Sequence, residues 1–303
     1  MKEHQQDVAS TLAKARLKDL IKLMRPHQWW KNGFVLIGLF FGHFWTDTNI
    51  AIRVFCATVA FSFISSAVYV VNDIIDIESD RRHPKKRFRP IAAGRVSTAA
   101  GWRLASFLAI AGTALAAWAS WVVLSIIFLY VIMNVAYSIR LKHVVILDAF
   151  VISAGFILRV LAGTVGVGIP PSQWLLQCTI MVTLFLAFTK RRAEFLVMEK
   201  NPGQGRKVLA QYTPSLLDNL ISITAAGTIL SYSLYTTAPE TVQIHQTDQL
   251  IATVPFVTYG IFRYMYLLHK WQAGENPAQD LLGDKHIIGT AVAWIVVTLL
   301  LIF

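Results

Sequence analysis

The sequence predicts an all-α, polytopic membrane protein, and three observations point that way. Of 303 residues, 55% are hydrophobic and only 15% charged, and the mean hydropathy is +0.53. Apolar runs close to the roughly 20 residues a bilayer-crossing helix needs recur along the whole chain. The 28 Lys and Arg residues gather in alternate connections between those runs. A soluble chain of this length would carry more charge. The net charge of +11 therefore calls for no nucleic acid. Lys and Arg in cytoplasmic loops set topology and meet anionic membrane lipids, which explains it more simply.

Nine spans are expected in a single membrane domain over 1–303: 33–46, 50–72, 101–118, 121–139, 144–165, 174–190, 215–237, 250–270 and 286–303. The first is short, and only a tight turn near Ser120 divides the third from the fourth. Arg53, Arg159 and Arg263 fall inside spans. Every other Lys and Arg lies in the N-terminal arm (among them Lys2, Lys14 and Arg16) or in the 73–103, 140–143, 190–207 and 270–286 segments. The opposite connections, TDTN at 46–49, GVGIPPSQ at 166–173 and TTAPETVQIHQTDQ at 236–249, hold neither residue type. The positive-inside rule then puts the N-terminus and the loops at 73–100, 190–213 and 271–285 on the cytoplasmic side of the plasma (inner) membrane. Residues 1–30 interleave Leu and Ile with Lys and Arg, as an amphipathic arm on that leaflet would. No apolar core followed by a cleavage site marks a signal peptide. Cys56 and Cys178 sit in apolar runs and imply no disulfide framework. Trp29, Trp30, Trp45, Trp102, Trp118, Trp121, Trp174 and Trp271 fall at span ends, as an aromatic belt does.

The chemistry concentrates at 71–90, VNDIIDIESDRRHPKKRFRP. Asp73, Asp76 and Asp80 are spaced i, i+3, i+7, which on one helix places them on one face over two turns. Like charges so placed repel, and near lipid the repulsion grows. A divalent cation would offset it, because Mg²⁺ takes hard carboxylate oxygens together with water and phosphate oxygens. Asn72 adds a neutral amide, and Lys86, Arg87 and Arg89 are suited to hold phosphates. The alternative is a solvated helix end whose acids pair with the following bases, and spacing leaves both open.

The NDxxDxxxD run from Asn72 to Asp80, followed by Arg89-Pro90 and Ala93-Gly94, resembles the UbiA superfamily of intramembrane prenyltransferases. The resemblance covers essentially the whole chain. It implies an all-helical bundle in which the Asp-rich motif holds Mg²⁺ and a diphosphate substrate. Members that prenylate aromatic acceptors carry a second cluster, DxxxD. Here the matching segment, YSIRLKHVVILDAFVISAGFILR at 137–159, has Asp148 but Ile152 four residues on. With RPHQWWKN at 25–32, KRRAEF at 190–195 and the late Asn276-Pro277 and Asp284, it is similar to one branch, the decaprenyl-phosphate phosphoribosyltransferases.

That branch implies a soluble donor, phosphoribosyl diphosphate, and a polyprenyl phosphate lipid as acceptor. Asp73, Asp76 and Asp80 would bind Mg²⁺, with Asn72 orienting and Lys86, Arg87 and Arg89 on the donor phosphates. Tyr137, Lys142 and Asp148 would hold the ribose or its 5-phosphate, and Lys190, Arg191 and Arg192 the lipid phosphate. Lys31, Asn32 and Asp284 are further substrate-binding candidates. Arg159, alone inside a span, reads either as functional or as the structural partner of a buried acid such as Asp148. Arg53 and Arg263 are expected to snorkel from span ends. A phosphate monoester is already anionic near neutrality, so no catalytic His is required, and His27, His83, His143, His269 and His286 read as interface residues. Two other functions stand beside this one: transfer of a prenyl group from its diphosphate, and cation-coupled transport. Transport is disfavoured because the acids cluster at a membrane boundary rather than at the midplane. A homo-oligomer is left open.

Overall fold

The computed structural model describes residues 17–200, 207–271, 280–281 and 283–302. Lys2, Lys14, Arg16 and the Asn276-Pro277 step lie outside the described residues, as does the first half of the amphipathic arm; 17–24 is helical. Among the described residues every regular element is a helix. Eight are long: α1 Thr48–Ile75, α2 Thr98–Ala119, α3 Trp121–Ile139, α4 Leu147–Ala162, α5 Gln173–Lys200, α6 Pro214–Thr237, α7 Val254–Trp271 and α8 Lys285–Ile302. All but α6 are long and apolar enough to cross a membrane, which makes seven such helices among the described residues where nine spans were expected. The protein is a multi-pass membrane protein.

The two differences have physical causes. Segment 33–46 is broken into a 3₁₀ helix, Pro26–Leu36, a short α-helix, Ile37–Phe41, and a 3₁₀ turn, Phe44–Thr46. Its backbone runs against Gly163, where a Cβ would lie 1.7 Å from the Val35 carbonyl oxygen, so only glycine admits the approach. His43 then takes a left-handed φ of 59°, which stops helix propagation. Helix α6 does form over the expected 215–237, but Ser and Thr dilute its hydropathy. Thr224, Thr228, Ser231 and Ser233 turn their hydroxyls back onto carbonyls four residues earlier, which satisfies them within the helix.

Local chemistry sets the helix starts. The Asp47 carboxylate accepts from the Asn49 and Ile50 amides to cap α1, and Ser97 caps α2 through the Ala100 amide. Thr213 caps α6, where Pro214 occupies the first helical position. Ser120 alone separates α2 from α3; its hydroxyl accepts from the Val123 amide and donates to the Gly166 carbonyl. The tight turn is as expected.

The chain forms two compact units. One comprises the residues up to Asn134 with Arg159–Ile169; the other comprises Val135–Leu158 with the residues from Pro170 onward. In the first, α1 packs along α2, with Ile64 against Gly112, and Phe61 meets Tyr130 edge-on at 5.3 Å. In the second, Phe185, Phe188, Leu209, Leu217, Ile221, Tyr264 and Leu268 form the core, with Phe185 edge-on to Tyr264. Large apolar side chains such as Phe55, Phe107, Ile110, Phe128 and Leu300 remain exposed, as lipid-facing positions of membrane helices do.

Candidate active site

The first constellation lies in the first unit. Helix α1 ends at Ile75, the backbone breaks at Asp76 (φ −88°, ψ 9°), and the short helix Ile77–Arg82 follows. The break corrects the expectation of three acids on one helical face. Asp73 and Asp80 are buried, with 2% and 1% of their surface exposed, whereas Asp76 is exposed at the break. The Arg89 guanidinium joins the two buried acids, donating from Nη1 to Asp73 Oδ1 at 3.0 Å and to Asp80 Oδ2 at 2.6 Å. Arg25 donates from Nη2 to Asp73 Oδ1 at 2.5 Å, from a left-handed backbone (φ 52°), and its guanidinium lies 4.9 Å over the Tyr69 ring. The two buried acids therefore pair with bases, as one sequence reading held: Arg89 of the basic run and Arg25 from the RPHQWWKN entry, while Arg81 of the same run pairs with Glu78.

Around this core, Asn72 is half-buried and its carbonyl accepts from the Asp76 amide at the break. Lys86 and Arg87 are exposed on the 3₁₀ turn Lys86–Phe88, with the Arg87 guanidinium over the Phe88 ring. His83 shapes that turn, its Nδ1 accepting from the Lys85 and Lys86 amides. Burial, and then the neighbouring Lys86, pushes His83 below its ordinary pKa, which favours this neutral acceptor.

Among the described residues, no three His, Cys, Asp or Glu side chains converge on a point that could hold a metal. Two do share a guanidinium, and Asp80 Oδ1 is buried without a hydrogen-bond partner. Burying a carboxylate oxygen unpaired is costly. Mg²⁺ is commonly held by one or two carboxylates, the rest of its shell being phosphate oxygens and water. Asp73 and Asp80 fit that pattern.

The second constellation lies in the second unit. Asp148, fully buried in the first turn of α4, accepts from Arg191 Nε through Oδ2 at 2.5 Å and from the Tyr212 hydroxyl through Oδ1 at 2.8 Å. Arg191 is 1% exposed and also donates to Glu194 Oε2 at 2.6 Å and, at 3.5 Å, to the Tyr137 hydroxyl. The Tyr212 hydroxyl in turn accepts from the Ile146 amide at 2.7 Å. Ile146 holds φ at 69°, a left-handed conformation that β-branched residues rarely adopt. Burial first, and then Asp148 beside it, pushes the Tyr212 phenol above its ordinary pKa, so it remains a donor at neutral pH. Arg191 is thus committed to Asp148. Its neighbour Arg192 pairs with Asp218, and Lys190 and Lys142 are half-buried.

Arg159 belongs to the first unit and is 5% exposed. It donates from Nε to Asn32 Oδ1 at 2.8 Å and from Nη2 to the Tyr130 hydroxyl at 3.0 Å, over whose ring it stacks at 4.8 Å. Asn32 donates to Ser62 Oγ at 2.9 Å, so Arg159 fastens the 3₁₀ entry segment to α1. It does not pair with Asp148, because eleven residues of continuous helix separate the two by about 16 Å. Lys31, next to Asn32, is half-buried. Arg263 donates from Nη2 to Asp284 Oδ2 at 2.7 Å, just before the start of α8. Asp284 also caps α8 by accepting from the Ile287 amide, and the Arg263 hydrogen bond holds its carboxyl down at about 2.

Sequence reasoning missed Arg25, Tyr130, Glu194 and Tyr212 as site residues. Arg25 and Glu194 stand inside the RPHQWWKN and KRRAEF stretches, so a signal existed for both. Tyr130 and Tyr212 carry none.

Apolar helices long enough to span a membrane carry buried carboxylates, each neutralised by arginine. The chain belongs to the UbiA prenyltransferase family, whose match covers residues 33–279, and it is a transferase. It is 34% identical over 287 residues to a decaprenyl-phosphate phosphoribosyltransferase of Mycolicibacterium smegmatis, covering 91% of this chain and 90% of that one. A protein of the same name from Corynebacterium glutamicum is 36% identical over 298 residues, covering 91% and 84%. In fold it is similar to a UbiA homolog from Archaeoglobus fulgidus solved with GPP and Mg²⁺ (TM-score 0.70, 16% identity, 94% of this chain and 99% of that one).

Proposed function

We propose that this enzyme transfers 5-phosphoribose from phosphoribosyl diphosphate to a polyprenyl phosphate of the decaprenyl type, at the cytoplasmic face of the plasma membrane. The observation that carries the reading is the pair of relatives named decaprenyl-phosphate phosphoribosyltransferase, matched along 91% of the chain. The second constellation supports it: where DxxxD members have two acids, Asp148 stands with Ile152 and is neutralised by buried Arg191.

In this reading the lipid phosphate oxygen attacks the anomeric carbon of the donor. The bond from that carbon to the diphosphate oxygen breaks, and diphosphate leaves with the electron pair. The attacking phosphate is already anionic, so the protein's contribution is electrostatic and positional. Asp73 and Asp80 would hold Mg²⁺, with Asn72 orienting and the exposed Asp76 beside them. When bound, the ion neutralises charge on the leaving diphosphate. Arg89 would turn from the acids to the donor phosphates, with Lys86 and Arg87 drawing the anion in. Tyr137, Lys142 and Asp148 would hold the ribose or its 5-phosphate, and Lys190 and Arg192 the lipid phosphate, with Arg191 acting through Asp148. Arg159 would act through Asn32 and Lys31 at the entry segment. Asp284 would act through the start of α8.

The test is diphosphate release by the purified protein with Mg²⁺ and a polyprenyl phosphate. Release from phosphoribosyl diphosphate that stops when the lipid phosphate or the metal is withheld is the expected outcome. Release only from a polyprenyl diphosphate would overturn the proposal in favour of prenyl transfer. Asp73→Asn should abolish turnover without loss of membrane insertion.

A further inference from the structure

Tyr212 belongs to none of the motifs above, yet its one hydroxyl is used twice. It accepts from the Ile146 amide at 2.7 Å and donates to Asp148 Oδ1 at 2.8 Å. The ring is 3% exposed, seated in the same core as Ala149, Val208 and Leu209, with Val145 and Ile146 packed against it. Ile146 is left-handed (φ 69°), and its carbonyl accepts from the Ala149 and Phe150 amides at the start of α4. Arg191 Nε holds the other carboxylate oxygen of Asp148. A carboxylate with one oxygen on a guanidinium and the other on a phenol has its plane fixed by two directional donors.

We infer that Tyr212 is a positioning residue, whose hydroxyl directly sets the orientation of Asp148. This rests on the reading that Asp148 acts on the donor. The phenol fits the task better than a second cation would. A second guanidinium would leave the site over-charged, whereas a buried phenol adds a directional donor and no charge. The charged and titratable groups that touch Asp148 or its immediate partners are Arg191, Glu194, Tyr137 and Tyr212.

Tyr212→Phe removes the hydroxyl and keeps the ring. Loss of a hydrogen bond to a charged group should raise KM for phosphoribosyl diphosphate about tenfold, with kcat within about threefold of the parent. An infrared spectrum of the full-length protein at neutral pH gives a readout independent of turnover: the carboxylate band that disappears in Asp148→Asn should shift in frequency in Tyr212→Phe, because one oxygen loses its donor. Ile146→Gly supplies the control, since glycine takes a positive φ without a Cβ penalty. In the Ile146→Gly/Tyr212→Phe double variant, thermal stability should recover while KM and the Asp148 band stay shifted.

Recovery of KM and the Asp148 band position together with stability would overturn the inference, since the hydroxyl would then serve the turn alone. An unmoved Asp148 band in Tyr212→Phe would overturn it as well. If Tyr212→Phe fails to fold, the double variant carries the same test. Failure of the parent enzyme to use phosphoribosyl diphosphate would retire the donor assignment, while the band position would still decide between a hydroxyl that holds Asp148 and one that does not.

Discussion

Two buried carboxylate clusters in this protein are finished to different degrees. Around Asp148 both oxygens are taken, by Arg191 and Tyr212, and the arginine is itself 1% exposed. Around Asp73 and Asp80 the bases are more open, Arg25 and Arg89 having 23% and 27% of their side chains exposed, and Asp80 Oδ1 has no hydrogen-bond partner. The first is a closed network of the kind that rigidifies a protein. The second leaves an acceptor unpaired and two guanidinium groups near solvent, which is how a site looks when a cation and an anion are to be accommodated together. The contrast separates an acid whose two oxygens are both committed from an acid that keeps one oxygen uncommitted.

The contrast breaks most visibly if Arg191 proves dispensable. Arg191→Ala strands Asp148 as an unpaired buried charge, and thermal unfolding in detergent should show a loss of about 3–5 kcal/mol. Asp80→Asn should behave in the opposite way. Its stability should stay within about 1 kcal/mol of the parent, since one net hydrogen bond is at stake, while turnover falls at least about 100-fold. An Asp80→Asn protein that unfolds like Arg191→Ala would erase the distinction.

Two smaller effects sharpen it. Arg192 pairs with Asp218, whose side chain is 40% exposed, so Arg192→Ala should change stability by no more than about 1 kcal/mol despite adjoining Arg191. Asp284 ionises near 2 in the folded chain, against an ordinary 3.8, chiefly because Arg263 hydrogen-bonds its charged form. A depressed carboxyl contributes stability above its unfolded pKa and loses it as pH falls through the folded one. Asp284→Asn should therefore melt slightly below the parent above pH 3.8, with the gap closing as the pH falls towards 2, as paired melting curves would show.

Much of the helical layout was legible because hydropathy and caps are local. The Ser120 division of α2 from α3 follows from a single residue whose side chain caps one helix after the other has ended. What was illegible was set by remote partners. The break in 33–46 depends on Gly163, some 130 positions along the chain from the segment it crowds. Arg159 resembled a functional charge, or a partner for Asp148, until Asn32 and Tyr130 stood beside it. The acids at 73, 76 and 80 were read on an unbroken helix, and the break at Asp76 is a backbone feature that acid spacing does not encode.

By itself the sequence determined an all-α membrane chain and the place of its acid motif, which follow from residue type and spacing, since hydropathy and charge express them without any fold. The enzyme class, and the missing second acid beyond Asp148, came from the resemblance of its motifs to a family. Only the tertiary structure decided which base serves which acid: Arg25 and Arg89 on Asp73, Arg89 on Asp80, Arg191 and Tyr212 on Asp148. A hydrogen bond requires its donor within about 3 Å, and for groups up to 64 residues apart that distance is set by packing, not by sequence.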